Sequence, residues 1–295
     1  MGAVSRGLVI ARVGANSLHP SWLEPGTPRA WDLHLCPFQP IPGQDALDCT
    51  VGEVIPGPKW TGIRQLLNEW DGWRDYDYIW FPDDDIAADQ ATIAKMFEVA
   101  HGVGLELFAP ALHESSYYAH FITMRNTSFY GRWVGFVEIM VPGFSVRALE
   151  RLRPTLDLSV TGWGWGLDSL WPKLLEYKNV GIVDAAPVVH TRPVGEMRDA
   201  ELKARVMAES DAILDNHDCR QVHTTFGAFG PDLAPLELSP HEFFAQLVKG
   251  SQYLIDRDPR VLSWLVDFQR AQMEALEYPI EGTPDGRGPA RIFDP

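Results

Sequence analysis

Three consecutive carboxylates, Asp83, Asp84 and Asp85, close the segment DYDYIWFPDDD over 75–85. Adjacent like charges repel unless something neutralises them. Here they follow an apolar, strand-like run, and the C-terminal end of such a strand is where open α/β sheets place their ligands. If the chain stays extended, Asp83 and Asp85 point to one side and Asp84 to the other. A hard divalent cation, Mn2+ or Mg2+, takes one or two such oxygens and leaves positions for phosphate oxygens. Helix capping is the competing explanation. It accounts for one Asp, most naturally Asp85 or Asp89, but not for three in a row.

A second chemical signal is GWGWGLD, 162–168. Alternating Gly and Trp make neither a good helix nor a good strand, so the segment reads as a loop presenting Trp163 and Trp165 above an accessible backbone. Such flat rings suit the apolar face of a sugar. Asp168 begins the helical pattern SLWPKLLEY, where the helix dipole favours its ionised form. It is a candidate general base for an acceptor hydroxyl, with a helix cap beside core Trp residues as the alternative. The third signal is VVHTRPVG, 188–195, in which an apolar strand ends in His190. Neutral imidazole is a ligand for Mn2+, and the planar fork of Arg192 suits a phosphate. Weaker candidates are Arg12, Asn16, Lys59 and Glu138. Lys59 opens a helix, where a cation is disfavoured, and a nearby diphosphate rationalises it. Glu138 is a charge inside the apolar run FVEIMV and calls for a partner or a ligand.

These residues need elements to hold them. GLVIARVG (7–14), WDLHLCPF (31–38), DYIWF (77–81), LELFAPAL (105–112), FVEIMVPGFSV (136–146) and VGIVDAAPVV (180–189) read as strands. GPKWTGIRQLLNEW (57–70) and the stripe from Ala88 to Ala100 read as helices. Strands alternating with helices predict an α/β fold, a single, mostly parallel central sheet flanked by helices. Beyond Gly230 two helical patterns follow with no strand between them. The expected organisation is a main domain over 1–230, a small helical appendage over 231–280 and a Gly/Pro-rich tail over 281–295.

The 295 residues carry a formal net charge of −15 and no run of Lys or Arg. That disfavours nucleic acid and anionic membranes as partners, because both require a basic face. An acidic site that gathers a divalent cation fits the balance better. Three Cys without CxxC spacing argue against a disulfide framework or structural zinc and for a reducing compartment. Neither a signal peptide nor a stretch of transmembrane length is evident, so a cytoplasmic protein is expected.

Taken together, the segments resemble the glycosyltransferases of the A-type, Rossmann-like fold. The likeness lies in the Asp-x-Asp motif after a strand (Asp83–Asp85), the WGWG-plus-acid loop of the β-1,4-galactosyltransferases (Trp163–Asp168) and a downstream His (His190), in the same chain order. The runs VIARVGANSLHPSWL, GPKW, YDYIWFPDDD, FVEIMVPGFS and VVHTRPVG are also similar to a largely uncharacterised family of glycosyltransferase-like proteins, over most of residues 7–195. The resemblance implies a hexosyltransferase-like enzyme using a nucleotide-sugar donor, a UDP-sugar in particular. It implies a metal, Mn2+ or Mg2+, on Asp83, Asp85 and His190; with such a donor, contacts are expected from Arg12, Asn16, Lys59, Asp84 and Arg192. Trp163, Trp165 and Glu138 would then meet a saccharide or glycoside acceptor, with Asp168 as base and inversion at the anomeric carbon. One departure is plain: the galactosyltransferase loop carries adjacent acids, whereas here Leu167 precedes Asp168 and a single carboxylate is present. Two other classes stay open on the residues alone, a metal-dependent nucleotidyltransferase or phosphohydrolase and a non-catalytic carbohydrate-binding protein.

Overall fold

A computed structural model describes residues 6–41, 43, 47–194 and 199–277; the tail expected over 281–295 lies outside these. In chain order the strands are β1 (Gly7–Val13), β2 (Trp31–Pro37), β3 (Thr50–Val51), β4 (Tyr78–Trp80), β5 (Ile86–Ala87), β6 (Leu107–Leu112), β7 (Gly131–Val134), β8 (Gly143–Ser145), β9 (Val180–His190) and β10 (Thr225–Phe229). The helices are α1 (Lys59–Glu69), α2 (Gln90–Val103), α3 (Val146–Leu152), α4 (Leu167–Leu174), α5 (Ala200–Asn216), α6 (Pro240–Gly250), α7 (Gln252–Arg257) and α8 (Arg260–Glu277).

One sheet runs in the order β10-β7-β9-β6-β8-β4-β1-β2-β3, with β5 paired to the end of β9. β1, β2, β3, β4, β6 and β9 share one direction, so their C-terminal ends open on one edge of the sheet. All seven residues of β1 are buried, as expected of a strand covered on both faces. The fold is therefore α/β with a mostly parallel sheet, but a mixed one. β8 is wedged antiparallel between β4 and β6, and β7 lies antiparallel to both β9 and β10.

The strand expected over 136–146 shrinks to Gly143–Ser145. Phe136, Val137, Met140 and Val141 are buried all the same. Their apolar character reflects a turn packed under the sheet edge, because a short apolar run reports burial and not conformation. β7, β10 and α5 were not foreseen. β7 spans four residues, β10 shifts register between Thr225 and Gly227, and α5 buries only Val206 and Ile213. Each leaves too sparse a pattern to read.

Local caps set the helix starts. Asp89 accepts from Thr92 N at 2.6 Å and caps α2, and Gly104 ends that helix in the left-handed region at φ 74°. The capping role thus belongs to Asp89, which leaves Asp83–Asp85 for other work. Of the two helices expected beyond Gly230 the first is broken at Ser251 into α6 and α7 and the second is α8; α6 opens with a capping box between Ser239 and Glu242. Leu247, Leu254, Val261 and Leu265 from these helices join the same core as the sheet. Among the described residues no helix is long and apolar enough to cross a membrane.

Candidate active site

The aspartates lie just past β4, where the chain turns at Asp84–Asp85 and does not stay extended. Each is stitched to a different segment through its backbone. Asp83 N donates to Met140 O (2.9 Å), Leu18 N to Asp84 O (2.7 Å) and Thr191 N to Asp85 O (3.2 Å). The turn replaces the simple alternation expected of a strand, and each carboxylate meets its own basic partner. Asp83 pairs with Lys59 at 2.7 Å, Asp84 with Arg192 at 3.0 Å and Asp85 with His190 at 3.2 Å.

Lys59 is explained by this arrangement without any ligand. Its ammonium also donates to Ile139 O and Met140 O at 2.8 and 2.7 Å, so three acceptors offset the unfavourable start of α1. Arg192 divides its fork between Asp84 and Asn16 O (2.9 Å), and Asn16 thus contributes a carbonyl. Arg12 is buried and gives its guanidinium nitrogens to the carbonyls of Cys36, Pro37, Ile55 and Gly57 at 2.7–3.3 Å. It reaches the site only through the loops it joins. Gly62 makes room for it, since a Cβ there would stand 2.3 Å from the Arg12 guanidinium carbon.

His190 is aligned by contacts that no sequence pattern announces. Its backbone N donates to Ser116 Oγ (3.1 Å) and its Nδ1 lies 2.9 Å from Tyr117 O. A carbonyl only accepts, so Nδ1 carries the proton and Nε2 is the atom that faces Asp85. Burial opposes charge on both side chains. Their mutual hydrogen bond prevails, holding His190 above the ordinary imidazole range and Asp85 below the ordinary carboxylate range.

Of the expected metal ligands the structure brings Asp85 and His190 together, while Asp83 sits on Lys59. Among the described residues no group of three or more His, Cys, Asp or Glu is assembled for a metal. Asp85 and a His190 that has given up its Nε2 proton could still serve a small divalent cation. Neighbouring ligands of an octahedral ion bound at about 2.1 Å stand about 3 Å apart, close to the 3.2 Å between Asp85 Oδ2 and His190 Nε2. The Nδ1–H bond to a carbonyl is the usual support for a ligating imidazole. Such ions take few protein ligands and complete their shell with phosphate oxygens and water.

Beside this cluster lie two more acids, without cationic partners among the described residues. Glu138 is 7% exposed, and its Oε2 has no hydrogen-bond partner. Burial first, and then the charge of Asp168, push its carboxyl up to about 8. Asp168, 6% exposed, stands in the first turn of α4 and accepts from Ser169 Oγ at 3.2 Å. Burial pushes it up to about 7 against the pull of that hydroxyl and of neighbouring backbone amides. Ionising one of these two acids disfavours ionising the other, an arrangement suited to moving a proton near neutral pH.

The Trp loop leads into Asp168. Gly162, Gly164 and Gly166 have φ of 75°, 78° and 92°, a region closed to Trp, and the first two press on α1. A Cβ on Gly162 would meet Thr61 Oγ1 at 2.1 Å, and one on Gly164 would meet Trp60 at 2.4 Å. Trp163 is 37% exposed and Trp165 half-buried, whereas Trp22, Trp60, Trp73, Trp80 and Trp171 are core residues.

No protein-family model matches the chain, and no curated protein matches its sequence. Among solved structures, residues 1–349 of S. aureus TarS in complex with UDP are similar at 11% identity and a TM-score of 0.44, over 94% of this chain and 76% of that one. The same TarS segment in complex with UDP-GlcNAc is similar at 11% identity and a TM-score of 0.39, over 94% and 77%. A197 from STIV is similar at 13% identity and a TM-score of 0.37, over 64% of this chain and 86% of that one.

Proposed function

We propose that the chain is a metal-dependent glycosyltransferase that moves a sugar from a nucleoside-diphosphate donor to a hydroxyl of a saccharide or glycoside. The observation that carries this reading is a juxtaposition at one sheet edge. Asp85 and His190 stand 3.2 Å apart, and close by lies a pair of buried acids, Glu138 and Asp168, that titrate near neutrality.

Asp85 and His190 would hold Mn2+ or Mg2+, which supplies positive charge to a departing diphosphate. Arg192, with Asp84 as its resting partner, can turn its fork to a phosphate, and an anion arriving there replaces a carboxylate it already resembles. Lys59 holds Asp83 and the 139–140 turn in place. Ionised Asp168 takes the proton of the acceptor hydroxyl as that oxygen attacks the anomeric carbon and the bond to the diphosphate breaks. Glu138, protonated, lines the same side and donates a hydrogen bond without adding a second negative charge. Trp163 offers a ring face to the acceptor. A single displacement with one base implies inversion, and a UDP-sugar donor is the choice favoured by the family resemblance.

Incubation with a panel of nucleotide sugars, Mn2+ and saccharide acceptors tests the proposal. New glycosidic product is expected. Release of phosphate or transfer of a nucleotidyl group without sugar transfer would reassign the site to phosphoryl chemistry. Saccharide binding with no turnover of any donor would make it a binding protein.

A further inference from the structure

The tip of the loop 159–164 is apolar and exposed, with Val160 at 84% and Trp163 at 37%. The backbone beneath is tied down on two sides. On one side Trp60 N at the start of α1 donates to Gly162 O at 3.0 Å. On the other a single carboxylate from α5, Glu209, takes three donors of the loop: Thr161 N to Oε2 at 2.7 Å, Thr161 Oγ1 to Oε1 at 2.8 Å and Ser159 Oγ to Oε1 at 3.2 Å. Those hydroxyls accept in turn, Ser159 Oγ from Gly164 N at 2.8 Å and Thr161 Oγ1 from Trp163 N at 3.4 Å. Both amides flanking the Trp163 carbonyl–nitrogen framework therefore lead back to one side chain on another helix.

A loop that only covered the core would bury its ring. This one holds its backbone fixed and leaves the ring partly exposed, which is the form a preorganised contact surface takes, since fixing it beforehand removes an ordering cost at binding. We propose that Glu209 is a positioning residue that keeps Trp163 in place as a preformed platform for the acceptor. The proposal rests on the glycosyltransferase reading above.

Glu209→Ala and Glu209→Gln test it in the full chain. Hydrogen exchange over residues 159–166 should accelerate at Thr161 and Gly164, more in Ala than in Gln, which retains one acceptor oxygen. Acceptor KM should rise about tenfold in Glu209→Ala, the scale of a lost charge-assisted hydrogen bond, and less in Glu209→Gln. Donor affinity should stay unchanged. Thr161→Ala, which removes the hydroxyl shared by Glu209 and Trp163 N, should shift acceptor KM in the same direction and stands in if a Glu209 variant fails to fold. Unaltered exchange in the loop, or faster exchange with unaltered acceptor KM, overturns the positioning role while transfer itself persists. A wild-type chain that transfers no sugar to any acceptor overturns the parent reading, and the platform with it.

Discussion

The two halves of the site solve the problem of buried carboxylates in opposite ways. On the aspartate side each of Asp83, Asp84 and Asp85 has its own basic side chain within 3.2 Å. On the acid-pair side Glu138 and Asp168 have none among the described residues, and burial moves both toward their protonated forms. Burial raises Asp83 and Asp84 and lowers Lys59 as well, but there an opposite charge at 2.7–3.0 Å pulls the other way. An unbalanced pair instead stores a proton whose affinity lies near physiological pH, as proton transfer requires. Under the proposed function the first half would bind the donor and the second would act on the acceptor.

The largest effect should come from the acid pair. Asp168→Asn is expected to lower transfer by about 10²–10⁴-fold, the range for a lost positioned base, while calorimetry shows nucleotide affinity unchanged. In the wild type kcat should rise with pH through about 7 as Asp168 loses its proton, and that limb should vanish in the variant. Equal loss of nucleotide affinity would erase the division between the halves.

Next, His190→Ala should weaken nucleoside-diphosphate binding in Mn2+ by about tenfold or more, given that even supporting partners of metal ligands are worth 10–100-fold. In EDTA, wild type and variant should bind alike. A gap that survives EDTA would show that His190 acts on the nucleotide without a metal.

A smaller effect concerns stability. The folded state binds the Glu138 proton more tightly than the unfolded chain, whose carboxyl titrates near the ordinary value of 4.5. Its contribution is fully present below that value and is lost as pH rises through about 8. Glu138→Gln should therefore match the wild type near pH 4 and exceed it at pH 8.5 by at least about 2–4 °C in melting temperature, the shift that 1 kcal/mol causes in a domain of about 150–250 residues. Parallel melting curves across that range would mean that folding leaves the Glu138 carboxyl at its ordinary value.

The smallest is Trp163→Ala, expected to raise acceptor KM with little change in melting temperature because the ring is partly exposed. Trp171→Ala, at 1% exposure, should instead cost roughly 3–5 kcal/mol. A comparable loss of stability in Trp163→Ala would return that ring to the packing.

Much of the frame was legible in the residues alone. β1, β2, α1 and α2 follow from continuous apolar runs and helical stripes, because those patterns arise from burial of contiguous chain. Asp83–Asp85, Asp168 and His190 stood out as candidates because adjacent charges, or a charge beside an apolar run, call for partners. Tertiary structure alone decided their partners. Lys59 reaches Asp83 from a different element, Tyr117 orients His190 through a carbonyl that every residue possesses, and Glu209 grips the Trp loop from a helix 48 residues beyond Thr161. It also decided that β8 lies antiparallel among parallel neighbours and that the buried segment before it is a turn. Such contacts join positions distant in sequence, and often through main-chain atoms common to all residues, so no local pattern of side chains encodes them.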